Sequence, residues 1–215
     1  MRRLFDINNP LMRFLIALFD LLALSVLWVV FSLPIVTLGA ASTALYSAAF
    51  HHVRKGEDYL WSSFFTAFKE NWKRSTLCFL VELIVVGLLL LEVWVMGGMI
   101  RQGYSFGWMY GVTLGLLVLA LTWTVYVAAY TARFTGTVKE VLKFSLMLMR
   151  AHPVRMLGVV ALVVSSLVFA LGFPPAVLIL PAGVYWGASF PIEAAFMKHL
   201  RPEDKARLEK EKNEE

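Results

Sequence analysis

The sequence predicts an all-α integral membrane protein: a bundle of about six transmembrane helices in three hairpins, with two amphipathic helices at the cytoplasmic interface. Three observations predict it. Of 215 residues, 59% are hydrophobic and 16% are charged, against about 25% charged in a soluble domain whose surface must face water. The missing charge leaves long apolar runs near the roughly 20 residues that cross the hydrocarbon as a helix. The cationic residues fall on alternate connecting segments, the asymmetry that orients membrane helices.

Phe14–Leu33, Leu77–Ile100, Gly107–Thr131 and Ala176–Met197 are long runs, and Met156–Phe173 is slightly shorter. Ile35–Val53 is richer in Ala, Ser and Thr and reads either as a span or as a re-entrant piece buried in protein. Charge decides between them. With this segment across and the N-terminus inside, segments 1–13, 54–76, 133–155 and 198–215 hold 3, 5, 5 and 6 Lys/Arg, which is 19 of 20. Arg101 alone falls outside. Without that crossing, Arg2, Arg3 and Arg13 oppose every other basic cluster. The expectation is one transmembrane domain over 1–200, with spans at about 14–33, 35–53, 77–100, 107–131, 156–173 and 176–197. Both termini are cytoplasmic, and 201–215 forms a charged tail. No small-residue cleavage pattern follows Met1-Arg2-Arg3, so the first run is expected to stay as an anchor. Leu33-Pro34-Ile35 and Phe173-Pro174-Pro175-Ala176 are tight outer turns, because proline lacks an N–H and biases its predecessor away from helix.

Between the spans, Asp58–Arg74 places Trp61, Phe64, Phe65, Phe68 and Trp72 on one helical face, opposite Ser62, Ser63, Lys69, Glu70, Lys73 and Arg74. Thr137-x-x-Glu140 is a capping box opening a second amphipathic helix. Each fits a helix lying on lipid, one packed on the cytoplasmic side of the bundle, or a groove for a partner. The aromatic residues with Lys69, Lys73 and Arg74 are therefore the candidate partner or membrane-surface contacts. Phe68-Lys69-x-Asn71-x-x-Arg74 before the third span resembles Met149-Arg150-x-His152-x-x-Arg155 before the fifth, with Asn9-Pro10-x-x-Arg13 as a possible third copy.

Four acidic residues lie within the runs, where a charge costs at least about 2.5 kcal/mol near the bilayer centre. Asp20 shares a face with Arg13, Glu82 follows Arg74 by two turns, and Glu193 is near Lys198 and His199. Glu92 has no basic neighbour in sequence; it faces a wet cavity, or hydrogen-bonds another span in its protonated form. Pro181 and Pro191 are expected to kink the last span beside Ser189 and Glu193, as in the broken helices of many transporters. Asp20, Glu82, Glu92, Ser189 and Glu193 form the candidate polar cavity. Gly107, Gly111 and Gly115, and Gly183 with Gly187, suit close helix packing.

Enzyme signatures are missing: there is no H-E-x-x-H, Walker A loop or G-x-S-x-G elbow. The lone Cys78 forms no internal disulfide, and no C-x-x-C pair is present. The histidines His51, His52, His152 and His199 fall at the cytoplasmic boundary, and adjacent His51 and His52 cannot share one helix face. No catalytic, metal or cofactor site is expected. The net charge of +5 is explained by the inward bias of cations, not by a nucleic-acid partner.

The opening of the chain carries a resemblance. Asn9-Pro10-Leu11-Met12-Arg13-Phe14, Asp20, Ser32-Leu33-Pro34-Ile35-Val36-Thr37-Leu38-Gly39-Ala40 and Thr43-Ala44-Leu45-Tyr46 are similar to the YesL-like family of bacterial integral membrane proteins. Arg54-Lys55-Gly56-Glu57 and Phe64-Phe65-x-x-Phe68-Lys69-x-Asn71 fit the same pattern. The resemblance is specific over roughly residues 5–75 and looser to about 200. It implies a bacterial inner-membrane location and an association with carbohydrate uptake, but no activity, since the family is a domain of unknown function. The expected function is a non-enzymatic accessory or regulatory component, with sugar-transporter subunits as partners. The alternative is a small-molecule transporter or channel in its own right.

Overall fold

The computed structural model describes residues 10–54, 59–105 and 107–199, with the side chains of 10, 11, 13, 14 and 197–199 outside that description. The side chains of Arg13, Lys198 and His199, the Lys55-Gly56-Glu57 motif and the tail 201–215 thus lie outside that description. Among the described residues, seven α-helices follow in order: α1 Pro10–Ser32, α2 Leu38–Ala48, α3 Leu60–Arg101, α4 Gly107–Arg133, α5 Val138–Ala151, α6 Pro153–Gly172 and α7 Leu180–His199. There is no strand among the described residues. Among the described residues, four helices are long and apolar enough to cross a membrane: α1, α3, α4 and α6. Helix α7 has sufficient length at 20 residues, but Ser189, Glu193 and two prolines lower its apolar character. Helix α2 has only 11 α-helical residues.

The chain from 35 to 54 is one helical path of three kinds: a 3-10 turn Ile35–Thr37, then α2, then a π-helical stretch Ala49–Arg54. It is the best-buried element. Ala40, Ala41, Ala44, Leu45, Tyr46, Ala48 and Ala49 are fully inaccessible, because α1, α3, α4 and α7 all pack on it. A helix enclosed by protein need not be greasy, and small residues let backbones approach. That explains why Ile35–Val53 reads weakly as a span. The entry is set by Thr37, whose hydroxyl lies 2.6 Å from Phe31 O and 2.8 Å from Pro34 O. Gly39 marks the closest approach: an added Cβ would sit 2.5 Å from Phe79 Cβ and 2.6 Å from Ser75 O.

The Trp61–Arg74 stretch is not a separate surface helix. It forms the first turns of α3, a helix of 42 residues, about 63 Å at 1.5 Å per residue. No proline or glycine interrupts the chain between Leu60 and Val86, and Ser75 and Thr76 at the join are buried. The second amphipathic helix, α5, is separate, with both halves of the Thr137–Glu140 capping box formed. His152 breaks the chain and Pro153 starts α6, where a missing N–H costs nothing.

Helix α7 also differs from expectation. Pro181 is its second residue, in the first turn, so it cannot kink the helix interior; the carbonyl of Val177 belongs to a preceding 3-10 segment, Pro174–Leu178. Pro191 is internal, and the helix continues through it. The start of α7 is capped from another helix: Ser25 of α1 accepts from Ala182 N–H (3.1 Å) and donates to Ile179 O (3.2 Å). The glycine ridge Gly107, Gly111, Gly115 does not pack on the described chain, since an added Cβ meets nothing within 4 Å. Gly187 alone among the packing candidates has a close neighbour, Leu162 at 3.2 Å.

Candidate functional site

A chamber of about 320 Å³ lies between α1, α2, α3, α4 and α7. Its polar wall comes from the serine- and threonine-bearing faces of α2, α3 and α4: Ser42, Thr43, Ser75 and Thr124. Trp28, Phe79 and Tyr185 add aromatic surface. Ser75 hydroxyl donates to Thr43 (2.9 Å), and Trp28 Nε1 donates to Ser42 (3.0 Å), so these hydroxyls are already oriented. Glu82 lines the same space, is 3% exposed, and its Oε1 has no hydrogen-bond partner among the described residues. Groups so buried are nearly always partnered.

A second polar centre links α7 to the end of α4 and the π-helical stretch. Tyr46 hydroxyl donates to Glu193 Oε1 (3.0 Å), and Arg133 Nε is 3.2 Å from the same oxygen. The Arg133 Nε–H has no well-aligned acceptor despite that distance, so the contact is an ion pair more than a directed hydrogen bond. The Arg133 guanidinium also lies 4.6 Å from the centroid of the Phe50 ring. Arg54 donates to Ser189 O (2.8 Å) and covers Phe190 at 4.3 Å. The π-helical stretch 49–54 carries both Phe50 and Arg54, and Arg54 reaches α7 from it; such local rewinding recurs at functional sites.

The five residues expected to share one cavity are thus divided. Glu82 alone lines the chamber; Ser189 and Glu193 belong to the arginine centre. Asp20 pairs with His52 Nε2 at 3.3 Å. Glu92, further along α3, accepts from the Thr113 hydroxyl at 3.2 Å, which supplies the partner on another span. Tyr46, Arg54, Arg133, Trp28, Ser75 and Tyr185 were not expected as site residues, although Tyr46 and Arg54 fall within the motifs that carry the resemblance. Arginines at the ends of spans look like boundary anchors, and aromatic residues inside spans look like packing.

Among the aromatic residues of the 58–74 stretch, Phe64 is fully buried, and its ring and those of Phe65 and Phe68 lie 5.2–5.8 Å from Phe31. Trp61 and Trp72 are exposed, as are Lys69 and Lys73. Arg74 is committed to the fold: it donates to Thr131 O (2.7 Å) at the end of α4 and to Asn71 (2.6 Å). Arg155 donates to Ala194 O of α7 (2.6 Å). The two similar sequence patterns therefore end in arginines with the same task, tying α3 and α6 to carbonyls in the C-terminal part of the helix that follows each. Such carbonyls carry the negative end of the helix dipole.

Residues 21–93 match a protein family of unknown function, DUF624. The matched region covers α2, most of α1 and the greater part of α3, including Gly39, Ser75 and Glu82. No curated protein and no solved structure matches the chain. Among the described residues, no three His, Cys, Asp or Glu come together as a metal site.

Proposed function

We propose that this chain is a six-span bacterial inner-membrane protein with both ends in the cytoplasm, which binds a compact organic cation in its chamber and performs no catalysis. The observation that carries the reading is Glu82, a buried carboxyl group with an unmet oxygen on the wall of an otherwise mostly apolar space. Pockets of this size and character hold small ligands. An ammonium group satisfies the carboxylate with a charge-assisted hydrogen bond, and Trp28, Phe79 and Tyr185 supply faces for cation–π contact. The test is thermal unfolding in lipid nanodiscs with panels of small amines and neutral sugars. Amines should raise the wild-type melting temperature, with Glu82→Gln weakening the effect at least tenfold in apparent affinity. Equal responses of the two proteins, or a response to sugars alone, would remove the cation reading.

The six-span layout rests on the distribution of Lys and Arg, with α2 and α7 crossing under the shelter of neighbouring helices. Cys78 is buried, so single cysteines added elsewhere report topology against a quiet background. Lys143→Cys should react with a membrane-impermeant thiol reagent only in inverted vesicles, and Tyr104→Cys only in intact cells. Reversal of either result would overturn the layout.

A second reading, an accessory part of a carbohydrate-uptake system, follows from the YesL-like resemblance. The exposed pair Trp61 and Trp72, beside Lys69 and Lys73, favours it as a docking face. Transporter subunits should co-purify with the wild type and be lost from Trp61→Ala/Trp72→Ala; recovery of the protein alone would count against this role.

A further inference from the structure

We infer that the groove between α3, α4, α5 and α6 holds an acyl chain of an anionic phospholipid, whose phosphate is received by Arg150 and Lys143 on α5. The groove encloses about 580 Å³ and is walled by Val85, Leu88, Leu116, Leu119, Met156 and other apolar side chains; among the described residues, Arg150 is the one charged residue that lines it. The proposal does not depend on the chamber lined by Glu82, which lies on another side of α3.

Helix α5 explains why charge and hydrocarbon meet here. Val141, Ser145, Leu148 and Met149 form its buried face, and the Ser145 hydroxyl receives Trp123 Nε1 of α4 at 2.8 Å. Trp123 is therefore a fixed, hydrogen-bonded wall of the groove, with its polar atom already occupied. The opposite face exposes Lys139, Lys143, Leu146, Met147 and Arg150. These positions recur every three or four residues, so three cations lie along one side of an apolar strip. None of the three cations pairs with a carboxylate among the described residues. That arrangement suits a helix at the level of anionic headgroups.

The occupant follows from what the wall can satisfy. A peptide laid along Val85–Leu89 and Leu116–Leu119 would bury main-chain N–H and C=O groups against side chains with nothing to offer them. A hydrocarbon tail makes no such demand. Positive charge at the mouth selects a negative headgroup, and Arg150 offers the fork of donors that a phosphate oxygen pair accepts.

Native mass spectrometry of the full chain tests this after exchange from detergent into mixed phosphatidylglycerol and phosphatidylcholine. The wild type is expected to retain one phosphatidylglycerol per chain, with about tenfold preference over phosphatidylcholine. Lys143→Gln/Arg150→Gln should abolish that preference while leaving the melting temperature in neutral lipid unchanged, since both side chains are exposed. Leu119→Trp, which fills the groove from an exposed position, should lose both lipids. Glycerol phosphate at millimolar concentration should fail to displace the bound lipid, because it lacks the chain. Equal lipid retention in wild type and variants, displacement by glycerol phosphate, or a dimer that excludes lipid would each overturn the assignment.

Discussion

Replacing Glu193 by alanine is expected to destabilise the folded protein by about 3–5 kcal/mol, the usual cost of stranding one partner of a buried ion pair. Arg133 and Glu193 are 12% and 11% exposed at their side chains, so water cannot fully take over the lost interaction. Tyr46 loses the acceptor of its hydroxyl at the same time, in a position with no exposure at all. Denaturant unfolding in micelles measures the loss. Glu193→Gln/Arg133→Gln should recover more than half of it, because removing both charges leaves neither stranded, and comparison with Glu193→Gln and Arg133→Gln alone closes the cycle that gives the coupling energy. A loss below about 1 kcal/mol for Glu193→Ala would place the pair with ordinary surface contacts.

Gly39→Ala is expected to run against the normal helix preference. Alanine in place of an interior helical glycine usually gains about 1 kcal/mol. At Gly39 the new methyl group would meet Phe79 Cβ at 2.5 Å and the Ser75 carbonyl at 2.6 Å. Backbone atoms cannot swing aside as the tip of a flexible side chain can. Separating α2 from α3 should cost about 1–3 kcal/mol, the range for overfilled cores, and Gly39→Val more. Gly87→Ala and Gly98→Ala on α3 provide the comparison, since nothing lies within 4 Å of an added Cβ at either; these should be neutral or stabilising. The same unfolding assay reads all four variants, and a gain of stability in Gly39→Ala would refute the close crossing.

Much of the helical architecture was legible from hydropathy and local motifs. Helices α1, α4 and α6 begin and end within a few residues of the apolar runs, and the capping box of α5 forms as its spacing requires. The join between the aromatic stretch and the third run was not legible. Polar residues on one face read as a helix on a surface, whereas burial of Ser75 and Thr76 against α2 lets α3 continue straight through. The site was less visible still. Only Glu82, of five expected cavity residues, reaches the chamber, because facing depends on which helices meet and that depends on long-range contacts. Thr113 meeting Glu92, or Tyr46 meeting Glu193 from 147 residues away, leaves no mark in local periodicity. Gly39 did leave one: the Thr37-Leu38-Gly39-Ala40 motif has its physical basis in the crossing of α2 and α3.

The sheltered position of α2 has a consequence for how the protein is made. A segment this rich in alanine, serine and threonine gains little by leaving the translocation channel for lipid on its own. Joined to α1 by the turn at Pro34 and Thr37, and awaiting α3 for its remaining partners, it is expected to partition only once its neighbours have emerged from the ribosome. Nascent chains arrested before α3 is complete should therefore hold α2 at the channel, and the bilayer should receive the three helices as one delivery.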